Sequence, residues 1–234
     1  MEARPFDVPR YLSVLPLFND LKPEELRQVA AGSTLSRLTS GDMVFRVGDA
    51  CESFHVVVTG QVKLFVISPT GQEKVVELMG AGQSFAEAIM FTDRTYFLSA
   101  QALTDTLLLS VGKQAVIAEI ARDHRFALRM LAGLSRRMHG LVHDVQAYAL
   151  HSGLQRVIGY LLRDQVVDGC DGGAVRTVSL PVSKATVASR LSITPEYFSR
   201  LLHELEAQGL IAIDRRDIRI LDAKRLSTYE TEAA

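Results

Sequence analysis

The sequence predicts an α+β protein in which an antiparallel β-barrel precedes a long helix and a C-terminal winged helix-turn-helix. Three observations carry that expectation. From Leu35 to Val111 apolar residues recur with period two, in short runs separated by glycines. Leu131, Leu134, Met138, Leu141, Val145 and Tyr148 advance in alternating steps of three and four, which is a heptad seam. Near the C-terminus two short helical patterns enclose the break Ser192-Ile193-Thr194.

Composition bounds the answer. With 234 residues, 47% of them hydrophobic, the chain can bury two ordinary cores and is not a mainly disordered polymer. The net charge of −1 hides an asymmetry, because residues 176–225 carry nine Lys or Arg against six Asp or Glu. Cys51 and Cys170 are too few and too far apart for a thiolate metal site and read as free thiols. No apolar run approaches the length of a membrane span, and no basic start leads into an export segment. A cytoplasmic protein without a membrane partner is therefore expected.

Residues 1–34 read as an N-terminal helical cap, with a helix beginning at Pro23 because proline suits a first helical position. Residues 35–112 form the barrel. Strands are expected at 35–38, 43–46, 54–59, 61–67, 74–79, 98–103 and 107–111, with turns at Gly41, Gly48, Gly60, Gly71, Gly80 and Gly82. Residues 113–150 read as one dimerisation helix whose seam, Leu131, Leu134, Met138, Leu141, Val145 and Tyr148, needs a partner helix. Phe126 and Leu128 are left to pack on the barrel. His139 and His143, four residues apart, lack a third ligand and read as a solvated face.

Residues 151–234 form the last domain. His151-Ser152-Gly153 is a hinge, Leu154 to Val167 an amphipathic helix, 168–173 a Gly-rich connector and 177–181 a short strand. Ser183 caps a helix whose apolar positions are Val187, Ala188 and Leu191. Thr194 caps the next, with Pro195 in its first position and Glu196 at the positive end of its dipole. Phe198, Leu201, Leu202 and Leu205 form the packing stripe of that second helix, while Glu196, Ser199, Arg200 and His203 project from another side. Arginine can hold guanine O6 and N7 bidentately, glutamate can accept from cytosine N4, and serine can bond either kind of base. Ser183, Lys184 and Thr194, at the starts of the two helices, complete the expected DNA contacts. A strand at 209–213, turning at Asp214-Arg215-Arg216-Asp217, supplies the wing, and a polar helix fills 222–234.

Pro195-Glu196-Tyr197-Phe198-Ser199-Arg200 resembles the E-x-x-S-R recognition signature of the CRP/FNR superfamily of bacterial transcription regulators, in its FNR-like branch. The resemblance implies a homodimer on double-stranded DNA, a TTGAT-like inverted repeat as operator, and RNA polymerase as a partner. Over residues 35–112 it implies the jelly roll of cyclic-nucleotide-binding domains, and Gly41 to Asp49 looks like that domain's opening turn. In cAMP-binding members a Gly-Glu pair and a later Arg-Ser or Arg-Thr hold the nucleotide. Glu87 matches the carboxylate, but Ala86 replaces the glycine, Tyr96-Phe97 replaces the Arg-Ser pair, and Arg94-Thr95 comes several residues early. Cyclic AMP is therefore disfavoured.

Residues 69–74 and 85–91 resemble the DNR subgroup of nitric-oxide-responsive denitrification regulators, which implies haem in an apolar sensor pocket. The pocket is expected at Phe85, Ala86, Glu87, Ala88, Met90, Tyr96 and Phe97. His55 is the only histidine before residue 124, so no axial ligand is evident. An iron–sulfur cluster, the device of the FNR oxygen sensors, has no cysteines among residues 1–50 to hold it. Haem, another small ligand and a signal-independent dimer remain open. An enzyme is not expected, because the chain has no nucleophile elbow, zinc-protease motif, Walker loop or complete dinucleotide fingerprint.

Overall fold

The computed structural model describes residues 6–92, 94–163, 176–180, 182–215 and 217–232. The chain divides into two compact units, residues 1–66 with 76–141 and residues 67–75 with 142–234. The first opens on α1 (Val8–Ser13), capped by the Asp7 carboxylate, and α2 (Pro23–Ala31), where Lys22 N–H donates to Glu25 at 2.7 Å.

Eight strands follow: β1 (Ser33–Leu38), β2 (Met43–Phe45), β3 (Ser53–Thr59), β4 (Val62–Ile67), β5 (Glu73–Met79), β6 (Ser84–Phe85), β7 (Ser99–Ala102) and β8 (Thr106–Gly112). They form two antiparallel four-stranded sheets in the orders β1-β8-β3-β6 and β2-β7-β4-β5. Seven strands fall where alternation and glycines place them. β6 and the short α3 (Glu87–Met90) lie between the strands expected at 74–79 and 98–103, where the alternation predicts no element. Gly60 shows why a glycine ends β3: its φ is +86°, and a Cβ there would lie 2.4 Å from the carbonyl oxygen of Asp105.

Five consecutive residues of β3, Phe54 to Val58, are buried, because helices cover the face that the barrel does not enclose. Phe18 stacks on Phe54 at 6.3 Å and meets Phe126 in a tilted contact at 5.6 Å, joining the N-terminal segment, the barrel and the long helix in one core.

The single helix expected over residues 113–150 is two helices, α4 (Lys113–Arg122) and α5 (His124–Leu150), and this corrects the sequence reading. Asp123 is extended at φ −135°, and its carboxylate accepts from the Arg125 N–H at 3.0 Å. Hydrogen bonds from the Arg125 side chain and backbone hold the Asp123 carboxyl down at about 2.

The second unit contains α6 (Gly153–Arg163), β9 (Arg176–Ser179), α7 (Lys184–Arg190), α8 (Pro195–Ala207), β10 (Ile211–Asp214), β11 (Asp217–Ile220) and α9 (Ala223–Glu232). Its sheet runs β10-β11-β9, with Ile211 opposite Ile220 and Ile218 opposite Val178. These side chains bury with Val157, Leu161, Phe198, Leu202 and Leu205. The Gly-rich connector at 168–173, Pro181 and Arg216 lie outside the described residues.

Candidate nucleic-acid interface and sensor cavity

Two capped helices carry the residues expected to contact DNA. Ser183 Oγ accepts from Thr186 N at 3.2 Å to start α7, and Thr194 Oγ1 accepts from Tyr197 N at 3.2 Å to start α8. Between them Ser192 takes φ +56°, a left-handed residue that turns the chain within three positions. Phe198, Leu201, Leu202 and Leu205 are buried, which leaves Glu196, Arg200 and His203 exposed and Ser199 half-exposed on the other side of α8. Ser183 and Thr194 are exposed and Lys184 half-exposed.

An i, i+4 pair of glutamate and arginine on a helix ordinarily closes on itself. Here the Arg200 guanidinium lies 4.9 Å from the centre of the Tyr197 ring, and among the described residues no ion pair joins it to Glu196. The stack holds the fork extended without consuming its donors. His203 lies 3.5 Å from Glu206.

α5 carries a second surface. Leu131, Met138, Leu141 and Val145 of the predicted seam are exposed, Val145 to 65%, and Val142 extends the stripe. Leu134 instead helps line a cavity in the first unit, and the Tyr148 hydroxyl donates to the Arg190 carbonyl at 2.5 Å. Phe126 is buried against the barrel as expected, whereas Leu128 is 60% exposed.

The cavity measures about 670 Å³ and lies among Phe18, Phe54, Met79, Glu77, Glu87 and one side of α5. Of the seven residues assigned to a sensor pocket, only Glu87 lines it. Phe85 and Met90 are fully buried in the core, Tyr96 stacks on Phe45 at 3.6 Å, and Phe97 is exposed. Ala86 caps α3 at φ +73°, holding the left-handed conformation that glycine adopts without strain. The basic part of the lining, Arg129, Arg136 and Arg137, comes from α5, which the sequence reading left out. Arg137 donates to Ser84 O at 2.7 Å and to Glu77 at 2.6 Å, and lies 3.7 Å from Glu87. Met130, Gly133, Leu134 and Arg137 follow helical spacing, so this face was legible as a second stripe beside the heptad seam.

His55 sits apart from that cavity. Its Nε2 lies 3.3 Å from the Tyr96 hydroxyl, which donates to Ser53 O at 3.2 Å, and its Nδ1 lies 2.8 Å from Ser110 Oγ. Because the Tyr96 hydroxyl gives its proton to Ser53 O it accepts from Nε2–H, and in the neutral ring that burial favours Nδ1 accepts from Ser110. Burial lowers the His55 pKa to about 4, and burial likewise raises that of Tyr96. A depressed imidazole gives stability that is complete above the unfolded pKa near 6.5 and is lost as pH falls towards 4. Wild-type protein should lose about 3 kcal/mol more than His55→Gln between pH 7 and pH 4 in chemical unfolding of the first unit. Parallel pH profiles for the two proteins would contradict this.

A model of the cyclic nucleotide-binding domain matches residues 35–123, and one of the Crp-like helix-turn-helix domain matches residues 155–229. The cyclic AMP receptor protein of Thermus thermophilus is 26% identical over 211 residues, which span 90% of this chain and 94% of that one. The crystal structure of DNR from Pseudomonas aeruginosa is 35% identical with a TM-score of 0.51, spanning 98% of this chain and 100% of that one. FixK2 from Bradyrhizobium japonicum, at 21% identity, is alike in fold, with a TM-score of 0.72 over 83% of this chain and 95% of its own. Among the described residues no helix is long and apolar enough to cross a membrane. With both domain models matched in succession and a solved relative 35% identical over nearly the whole length, the chain belongs to the CRP/FNR family of DNA-binding transcription regulators.

Proposed function

We propose that two copies of this chain pair along the exposed stripe of α5 and read a TTGAT-like inverted repeat, one half-site per copy. The observation that carries this is the solvent-facing side of α8, where Glu196 and Arg200 are exposed and Ser199 half-exposed, with Arg200 stacked on Tyr197 and not closed on Glu196. In that pose Arg200 takes a guanine edge, Glu196 a cytosine amine and Ser199 a neighbouring base. Ser183, Lys184, Thr194 and His203 flank them, suited to phosphates and groove edges. A two-fold dimer places its half-sites roughly 34 Å apart, one helical turn. RNA polymerase is the partner through which such a complex would act.

The cavity of the first unit is the proposed sensor site, of a size ordinary for a small organic ligand. The haem that the DNR resemblance implies does not fit it. Haem iron is held by histidine, thiolate, tyrosine or a methionine–histidine pair, and the lining offers only the thioethers of Met79 and Met130. Both nitrogens of His55 are engaged elsewhere. Cyclic AMP is no better served, because Arg94 is exposed, away from the lining, and Arg137 is already bound to the carboxylate of Glu77.

Selection of duplexes from a random pool by the purified chain tests the operator. An inverted repeat containing TTGAT is the expected product, and an asymmetric or unrelated sequence would refute it.

A further inference from the structure

Within the second unit the end of α7 is held by more than its own helix. Lys74, in the chain segment 67–75, donates from Nζ to Ser189 O at 2.5 Å, to Arg190 O at 3.1 Å and to Ser192 Oγ at 2.7 Å. One ammonium thus satisfies the last carbonyls of α7 and the hydroxyl of the left-handed turn residue, where a cation suits the negative end of the helix dipole. The neighbouring Val75 N–H donates to Ser189 Oγ at 3.0 Å, and that hydroxyl donates in turn to Glu73 O at 3.3 Å.

The same corner is tied to α5. Arg190 reaches Asp144 at 2.5 Å, the Tyr148 hydroxyl donates to Arg190 O, and the Lys74 ammonium lies 5.0 Å from the Tyr148 ring centre. Burial, with help from Arg190 and Arg156, lowers the Lys74 pKa to about 8, so the ammonium is held there against its own solvation.

Four residues separate α7 from α8, so whatever fixes the end of α7 against the C-terminal turns of α5 also fixes the reading helix there. We infer that Lys74 and Ser189 are positioning residues that set the distance and angle between the two reading helices of the dimer, and so the half-site spacing that the protein accepts. Without them the corner keeps only the Arg190–Asp144 pair, the Tyr148 hydroxyl on Arg190 O and the chain link at Ser152-Gly153. The inference rests on the proposed dimer.

The test measures fluorescence anisotropy of the full-length protein on duplexes with two inverted TTGAT half-sites, the spacer stepped one base pair at a time, and on a duplex with a single half-site. Each added base pair rotates the second half-site by roughly 34°. Wild-type affinity should fall about tenfold when the spacer is two base pairs from its optimum, a cost near 1.4 kcal/mol. Lys74→Met and, separately, Ser189→Ala should flatten that profile to less than about threefold and leave single half-site binding within about twofold. A profile identical to wild type in both variants would overturn the inference, as would an equal loss at every spacing and on the single half-site. So would a wild-type protein indifferent to spacing. A wild-type protein that keeps a spacing optimum but ignores the TTGAT letters would sink the operator reading and leave the positioning role standing.

Discussion

Arg200→Ala should weaken operator binding by roughly five- to 150-fold per half-site, corresponding to about 1–3 kcal/mol for one lost bidentate base contact. Because the dimer presents the residue twice, the effect on a palindrome is about the square of the effect on a half-site. The loss should fall on cognate DNA. Binding to a shuffled duplex of the same length depends mainly on phosphate neutralisation and should weaken only slightly, with about one charge less in its salt dependence. Arg200→Lys should recover little, since an ammonium cannot make the planar fork or keep the stack on Tyr197. Anisotropy titrations of both variants on TTGAT and shuffled duplexes check this. Equal weakening on both duplexes would remove Arg200 from base reading.

Charging the seam should have the other large effect. Met138 and Val145 are both exposed on α5, seven residues apart, and belong to a stripe with Leu131, Leu141 and Val142. Exposed apolar side chains in heptad register gain by covering one another, at about 25 cal/mol per Å² removed from water. Met138→Glu combined with Val145→Glu would bring four carboxylates into that strip of the dimer. Sedimentation should then report a monomer, and operator affinity should drop by about a thousandfold or more, towards the level of non-specific binding. Since both side chains lie on the surface of their own chain, the thermal unfolding midpoint of the monomer should hardly move. A variant that remains dimeric would place the partner contact elsewhere.

The parts that were readable in the sequence are those fixed by short-range rules. Ser183, Thr194 and Pro195 announce two helix starts through their caps and ring geometry, and the structure has the caps at those residues. Glycines punctuate the barrel because turns with positive φ occur where strands end. The break at Asp123 was less visible, since neither glycine nor proline marks it, although an aspartate two residues before Arg125 is itself a capping signal. The cavity escaped because α5 has two apolar faces, and the heptad seam drew attention from the face with Met130, Gly133, Leu134 and Arg137. Tyr96 and Met90 looked available to a ligand but are claimed by the aromatic core. The bond from Lys74 to Ser189 spans 115 positions of chain, and no local pattern reports a contact of that range.

The central claim is that the exposed trio of α8 meets DNA twice, once from each of two paired chains. Sedimentation equilibrium of the full-length protein with a duplex carrying one TTGAT palindrome measures this directly. Two chains per duplex, with one chain bound only weakly when a single half-site is offered, is the predicted result. One chain per duplex with the same affinity for palindrome and half-site would contradict it.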